Sequence, residues 1–120
     1  MYSNAIIEDK SKKFAVRIIK LYKYLCAEKK EFVISKQILR SGTSIGANVK
    51  EGEYAQSKSD FTSKMNIALK EAAETKYWIE LLSETDYVTQ EQDESISADC
   101  SELIKILTSI VKSSKNNFQI

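Results

Sequence analysis

The chain has 120 residues, enough for one domain with a single core. Its 42% hydrophobic and 29% charged content is that of an ordinary water-exposed globule, and the formal net charge of +1 argues neither for nor against a polyanionic partner. It contains no histidine, which excludes Ser-His-Asp and Cys-His chemistry and imidazole metal sites, and no proline, which favours long uninterrupted helices.

The first helix is expected over about residues 8–28. Phe14, Ile18, Leu21, Tyr22 and Leu25 recur at helical spacing. At about 100° per residue, Lys10, Lys13, Arg17, Lys20 and Lys23 gather on the opposite side with Tyr24 among them. A basic stripe interleaved with an aromatic is a candidate surface for phosphates and bases. The plainer reading of the same residues is a solvated lysine face.

A second helix is expected over about 36–55, with Ser35 as its N-cap and a hydrophobic staple between Ile34 and Leu39. Its middle holds all three glycines, Gly42, Gly46 and Gly52. Gly42 and Gly46, one turn apart, form a notch for a neighbouring helix; packing there must offset roughly 1 kcal/mol per helical glycine. Filling that notch by Gly46→Leu is expected to collapse the assembly. Arg40, Ser44, Asn48 and Glu51 lie along one side and, if buried, need hydrogen-bond partners within the fold or across an interface.

The third helix is expected over about 58–83, capped by Ser57 with Asp60. Phe61, Met65, Ala68, Ala72, Thr75, Ile79 and Leu82 keep a 4-3-4-3 spacing, a bundle seam. Trp78 covers one end of that core or caps a subunit contact. The fourth helix is expected over about 90–114, opened by a Thr89–Gln92 capping box, with Ile96, Cys100, Leu103, Leu107 and Ile110 on its seam and residues 115–120 frayed. Cys26 and Cys100 fall at apolar helical positions without metal-ligand spacing, as reduced core thiols would. Four helices joined by short loops imply a single-domain, all-α, up-down-up-down antiparallel four-helix bundle. No apolar run is long enough to span a membrane and no charged-then-apolar leader opens the chain, so a cytoplasmic location without a membrane partner is expected.

Three runs carry a resemblance: Ser35 to Gly52 (SKQILRSGTSIGANVKEG), Ala55 to Phe61 (AQSKSDF) and Met65 to Trp78 (MNIALKEAAETKYW). They closely resemble the four-helix-bundle proteins encoded in intervening sequences of bacterial 23S ribosomal RNA genes. The resemblance is specific from Phe14 to about Leu82 and rests on pattern alone in the last helix. It implies a ring-like homopentamer, no cofactor and no established enzymatic activity. One branch, the accessory variability protein of diversity-generating retroelements, is a basic pentamer that binds nucleic acid and a reverse transcriptase; the near-neutral balance here departs from it. The resemblance implies packing and polar-network roles, within a subunit or between subunits, for Arg40, Ser41, Ser44, Asn48, Glu51, Lys70, Glu71 and Glu74, beside the close-packing positions Gly42, Gly46 and Trp78 read from spacing, and catalytic roles for none.

The expected function is therefore a homopentameric binding or scaffold module. Its partner would be RNA or DNA on the basic first helix, or a protein met without any nucleic-acid contact. The catalytic alternative gathers Glu51, Glu71 and Glu74, with Lys70 or Arg40, around magnesium or a phosphate.

Overall fold

The computed structural model describes residues 4–118, with side chains through Lys115. Four helices follow in order: α1 Ala5–Ala27, α2 Ile34–Glu53, α3 Lys58–Glu84 and α4 Gln90–Phe118. They form a rod of 51 × 21 × 21 Å in which each helix packs on the next; the closing contact of α1 with α4 is the least extensive. Ion pairs fix the antiparallel sense: along α2, Arg40 meets Glu71 and Glu74 whereas the later Glu51 meets the earlier Lys64 of α3, and along α1, Lys10 meets Glu102 whereas the later Arg17 meets the earlier Asp99 of α4. The loops at 28–33 and 85–89 therefore share one end of the bundle. No helix among the described residues is long and apolar enough to cross a membrane.

The helices begin where side chains satisfy the first N–H groups. α1 starts three residues earlier than its apolar spacing indicates. Asn4 accepts a bond from the Ile7 amide at 3.4 Å, and Glu8 reaches back to the Asn4 amide at 2.8 Å. Both other expected caps are in place. Ser57 accepts from the Asp60 amide at 3.0 Å, while Thr89 and Gln92 exchange bonds of 2.8 and 3.1 Å.

The expected Ser35 cap is corrected. α2 already begins at Ile34, and the carboxylate of Glu31 does the capping. It accepts from the amides of Val33 (3.2 Å), Ile34 (3.0 Å) and Ser35 (2.7 Å). Ser35 itself is buried within the first turn. At the other end of the chain α4 runs on to Phe118, so 115–118 are helical, and the remainder of the expected frayed tail lies outside the described residues.

The seams bury as their spacing requires, with two shifts. On α3 the buried row is Thr62, Met65, Ala68, Ala72, Thr75, Ile79 and Leu82, so Thr62 replaces Phe61 at the end. On α4 it is Ile96, Cys100, Leu103, Leu107 and Val111, so Val111 replaces Ile110. The shift to Val111 has the direction in which a 3.6-residue helix drifts against a 3.5-residue repeat, whereas the shift to Thr62 shortens the spacing and places its hydroxyl on Ser114 of α4. The polar atoms this brings inside are paired: Thr62 with Ser114, and Thr75 with Ser41 at 2.9 Å. Cys100 lies in the core, its thiol on the Ala72 carbonyl at 3.3 Å and pushed up to about 12 by burial. Cys26 is only half-buried, beside the Glu31 carbonyl and the Ser35 hydroxyl, because it sits where α1 turns away toward the loop.

Candidate interaction surfaces

The glycines of α2 face other helices of the same chain. A Cβ at Gly42 would lie 2.7 Å from Cγ1 and 2.8 Å from Cγ2 of Ile18. One at Gly46 would lie 3.3 Å from the Ser11 carbonyl oxygen, and one at Gly52 would lie 2.5 Å from the Met65 methyl. The notch thus brings α1 close to α2. Gly46→Leu would press on the α1 backbone and act on the fold first, with any effect on an assembly following from that.

The polar row of α2 also finds its partners within the chain. Arg40 spans Glu71, at 3.2 Å, and Glu74; the Trp78 indole donates to Glu74 at 2.9 Å. The Trp78 bond and the Arg40 guanidinium hold the Glu74 carboxyl below its ordinary value, against an opposing effect of burial. Ser44 donates to the Arg40 carbonyl and Asn48 to the Ser44 carbonyl, each one turn back along α2. Glu51 pairs with Lys64 at 3.4 Å. Lys70 is exposed and makes no ion pair among the described residues. Trp78 is half-buried against the core, its ring 5.2 Å from that of Tyr77. The carboxylates of the catalytic alternative are therefore divided between two cations. Among the described residues no group of three or more His, Cys, Asp or Glu side chains is placed to hold a metal ion.

On the basic side of α1, the acidic α4 lies alongside and takes up part of the charge. Lys10 pairs with Glu102 at 3.2 Å and Lys13 with Asp9 of its own helix at 2.9 Å. Arg17 meets Asp99 at 2.7 Å and also donates to the Ser95 hydroxyl and carbonyl. Lys20 and Lys23 stay exposed without a carboxylate partner among the described residues. The composition of the chain contains this outcome only in outline, as a basic first half and an acidic second half; which cations are neutralised depends on helix adjacency. Between α1 and α4 a largely apolar groove of about 310 Å³ is lined by Arg17, Lys20, Leu21, Tyr24, Gln92 and Ile96. The aromatic and the cations noted in the sequence do border one concavity.

A groove of about 550 Å³ runs on the outer side of α1 and α2. Small residues form much of its wall: Ala5, Ser11 and Ala15 from α1, Thr43, Gly46 and Ala47 from α2. Small side chains on two adjacent helices leave room for a third element. Val16 (47% exposed) and Ile19 (39%) stand outward on α1. Sequence reading found the glycines of this region but assigned their space to one neighbour. The backbone approach of α1 uses only its inner side, and the outer side remains open.

The profile of the family described as 23S rRNA-intervening sequence protein matches residues 3–109 of the chain. A crystal structure at 1.70 Å resolution of a protein of unknown function, from the S23 ribosomal protein family of Bacteroides thetaiotaomicron VPI-5482, is 64% identical in sequence. It aligns over 88% of this chain and 98% of its own, with a TM-score of 0.87. No curated protein sequence matches the chain.

Proposed function

The chain belongs to the 23S rRNA-intervening sequence protein family, and from that membership we propose that it is a non-enzymatic homopentameric bundle, a binding module that presents its surface to a partner. The observation that carries the reading is the outer α1/α2 groove, open, walled by small residues and flanked by exposed Val16 and Ile19. A chain with its core already closed has no internal use for such a surface, and a helix of a second subunit fits it. Ala47 is exposed within the groove, so Ala47→Arg fills it without entering the core. The wild type is expected to run at the mass of five chains by light scattering, and Ala47→Arg as a monomer with its helical circular dichroism retained. A wild-type monomer at micromolar concentration would sink the oligomeric reading.

Nucleic acid is the second reading, and one observation favours it: among the described residues Lys20 and Lys23 lack carboxylate partners, and Lys20 rims the groove beside Tyr24. An unstacked base on Tyr24 with phosphates on Lys20 and Lys23 is the arrangement such a site would use. Binding of structured RNA is expected to weaken steeply with rising salt. Lys20→Glu with Lys23→Glu is expected to cost tenfold or more in affinity while leaving the fold unchanged. RNA binding that survives both substitutions would place the contact elsewhere. No binding even at low salt would leave a protein as the partner.

A further inference from the structure

The end of the bundle that carries the loops at 28–33 and 85–89 is bipolar. Its α1/α2 half bears Lys23, Lys29, Lys30 and Lys36, with Glu28 the acid exposed among them. Its α3/α4 half bears Glu84, Asp86 and Glu91, also exposed. None of these residues forms an ion pair among the described residues. At the same end Phe32 and Val33 project as a knob, 52% and 73% exposed. A cleft of about 440 Å³ opens at the same end, between Lys29, Ser83, Asp86, Val88 and Gln90.

The knob is held out by its own loop. Glu31 takes the amides of Val33, Ile34 and Ser35, its own amide bonds to the Leu25 carbonyl at 3.0 Å, and Lys30 stands in the left-handed region at φ 53°. These bonds hold the backbone on both sides of Phe32. The acidic loop is fixed in the same manner, with Asp86 at φ 64° and the Tyr87 amide on the Leu82 carbonyl at 2.9 Å. Both surfaces are therefore shaped before any partner arrives, which lowers the ordering cost of docking.

We propose that this end docks on the same end of a second copy about a two-fold axis. Phe32 and Val33 of each chain seat at the cleft of the other, and Lys29 and Lys30 of each face Glu84, Asp86 and Glu91 of the other. A two-fold contact requires one patch to be its own complement. Here the knob sits on the basic α1/α2 half, and the cleft lies between Lys29 of that half and Asp86 of the acidic α3/α4 half, so the half-turn that brings knob to cleft also lays the basic half of each chain on the acidic half of the other. A polyanion laid across this end would meet the three carboxylates as well as the lysines, and the like charges would oppose it.

Size sets the strength. The end of a rod 21 × 21 Å across is smaller than the roughly 800 Å² per partner of a stable dimer. One chain pair therefore associates weakly, whereas rings facing each other would engage several such contacts at once. That gain, though not the pairing itself, rests on the homo-oligomer reading.

The test uses two charge variants and their mixture, followed by sedimentation velocity over a hundredfold range of concentration. Lys29→Glu with Lys36→Glu turns the basic half net acidic, and Glu84→Lys with Glu91→Lys turns the acidic half net basic. The wild type is expected to double its mass as concentration rises. Each variant alone is expected to stay undoubled, and the equimolar mixture to double again. Phe32→Ser, at an exposed position outside the core, is expected to abolish the doubling with unchanged circular dichroism. A wild type that never doubles, variants that double alone, or a mixture that stays undoubled would each overturn the proposal. The undoubled mass in the same runs reports the ring separately: a single-chain mass there removes the pentamer and leaves the doubling to be judged on its own.

Discussion

Replacing Gly42 with alanine is expected to destabilise the protein by up to about 2 kcal/mol, although alanine is the better helix former. The helix-propensity gain is about 1 kcal/mol. Against it stands a methyl 2.7 and 2.8 Å from the two γ-carbons of Ile18. Ile18 is fully buried and branched at Cβ, so it has no alternative rotamer to occupy and the α1/α2 spacing must widen. Overpacking of this kind costs about 1–3 kcal/mol. For a chain of this length a loss of that size lowers Tm by roughly 4–8 °C. Two controls separate close approach from generic damage. In an Ile18→Ala background the same substitution should be neutral or stabilising, because the clashing atoms are gone. Gly52→Ala should change Tm much less, because the atom it meets is the Met65 methyl, the end of an unbranched side chain that swings aside. Equal losses at Gly42 and Gly52 would mean that interhelical distance is not what requires glycine at Gly42.

Glu31→Ala is expected to cost about 2–4 kcal/mol, the largest single-residue effect outside the apolar core. A solvent-facing loop glutamate normally contributes almost nothing. This one is 8% exposed and accepts three amide bonds of 2.7–3.2 Å at a helix N-terminus. Truncation leaves those donors unpaired and removes the negative charge that the helix dipole favours there. Glu31→Gln retains the shape but only one acceptor oxygen. It cannot serve Ser35 through one oxygen and Val33 with Ile34 through the other, so an intermediate loss is expected. Urea denaturation of the three proteins gives the ordering directly. A loss below about 1 kcal/mol for the alanine variant would show that water replaces the carboxylate at this end of α2.

The architecture was legible because each helix carries its own period. The 4-3-4-3 spacing from Met65 to Leu82 names the buried row of α3 without knowledge of any partner, and Ser57 and Thr89 mark helix starts through bonds to residues three positions away. Such signals are local: they depend on residues within a turn or two, and spacing in the chain is enough to read them. The capping of α2 was not legible for the complementary reason. Glu31 follows Lys29 and Lys30 and resembles any solvated loop charge; only the turn of the chain after Leu25 directs its carboxylate at three amides.

The candidate surfaces divide along the same line. By itself the sequence determined the four helices, their apolar seams, the small-residue stretch around Gly42 and Gly46, and the basic character of the first helix. The tertiary structure decided which helix the glycines admit. It also decided that Lys10 and Arg17 are paired across to α4 while Lys20 and Lys23 are not, and that a basic loop and an acidic loop share one end of the rod. The physical reason is that helical periodicity fixes the direction of a side chain about its own axis, whereas pairing and exposure depend on which other axis lies beside it. For Lys10 and Arg17 those neighbours lie 92 and 82 positions away, beyond the reach of any local pattern.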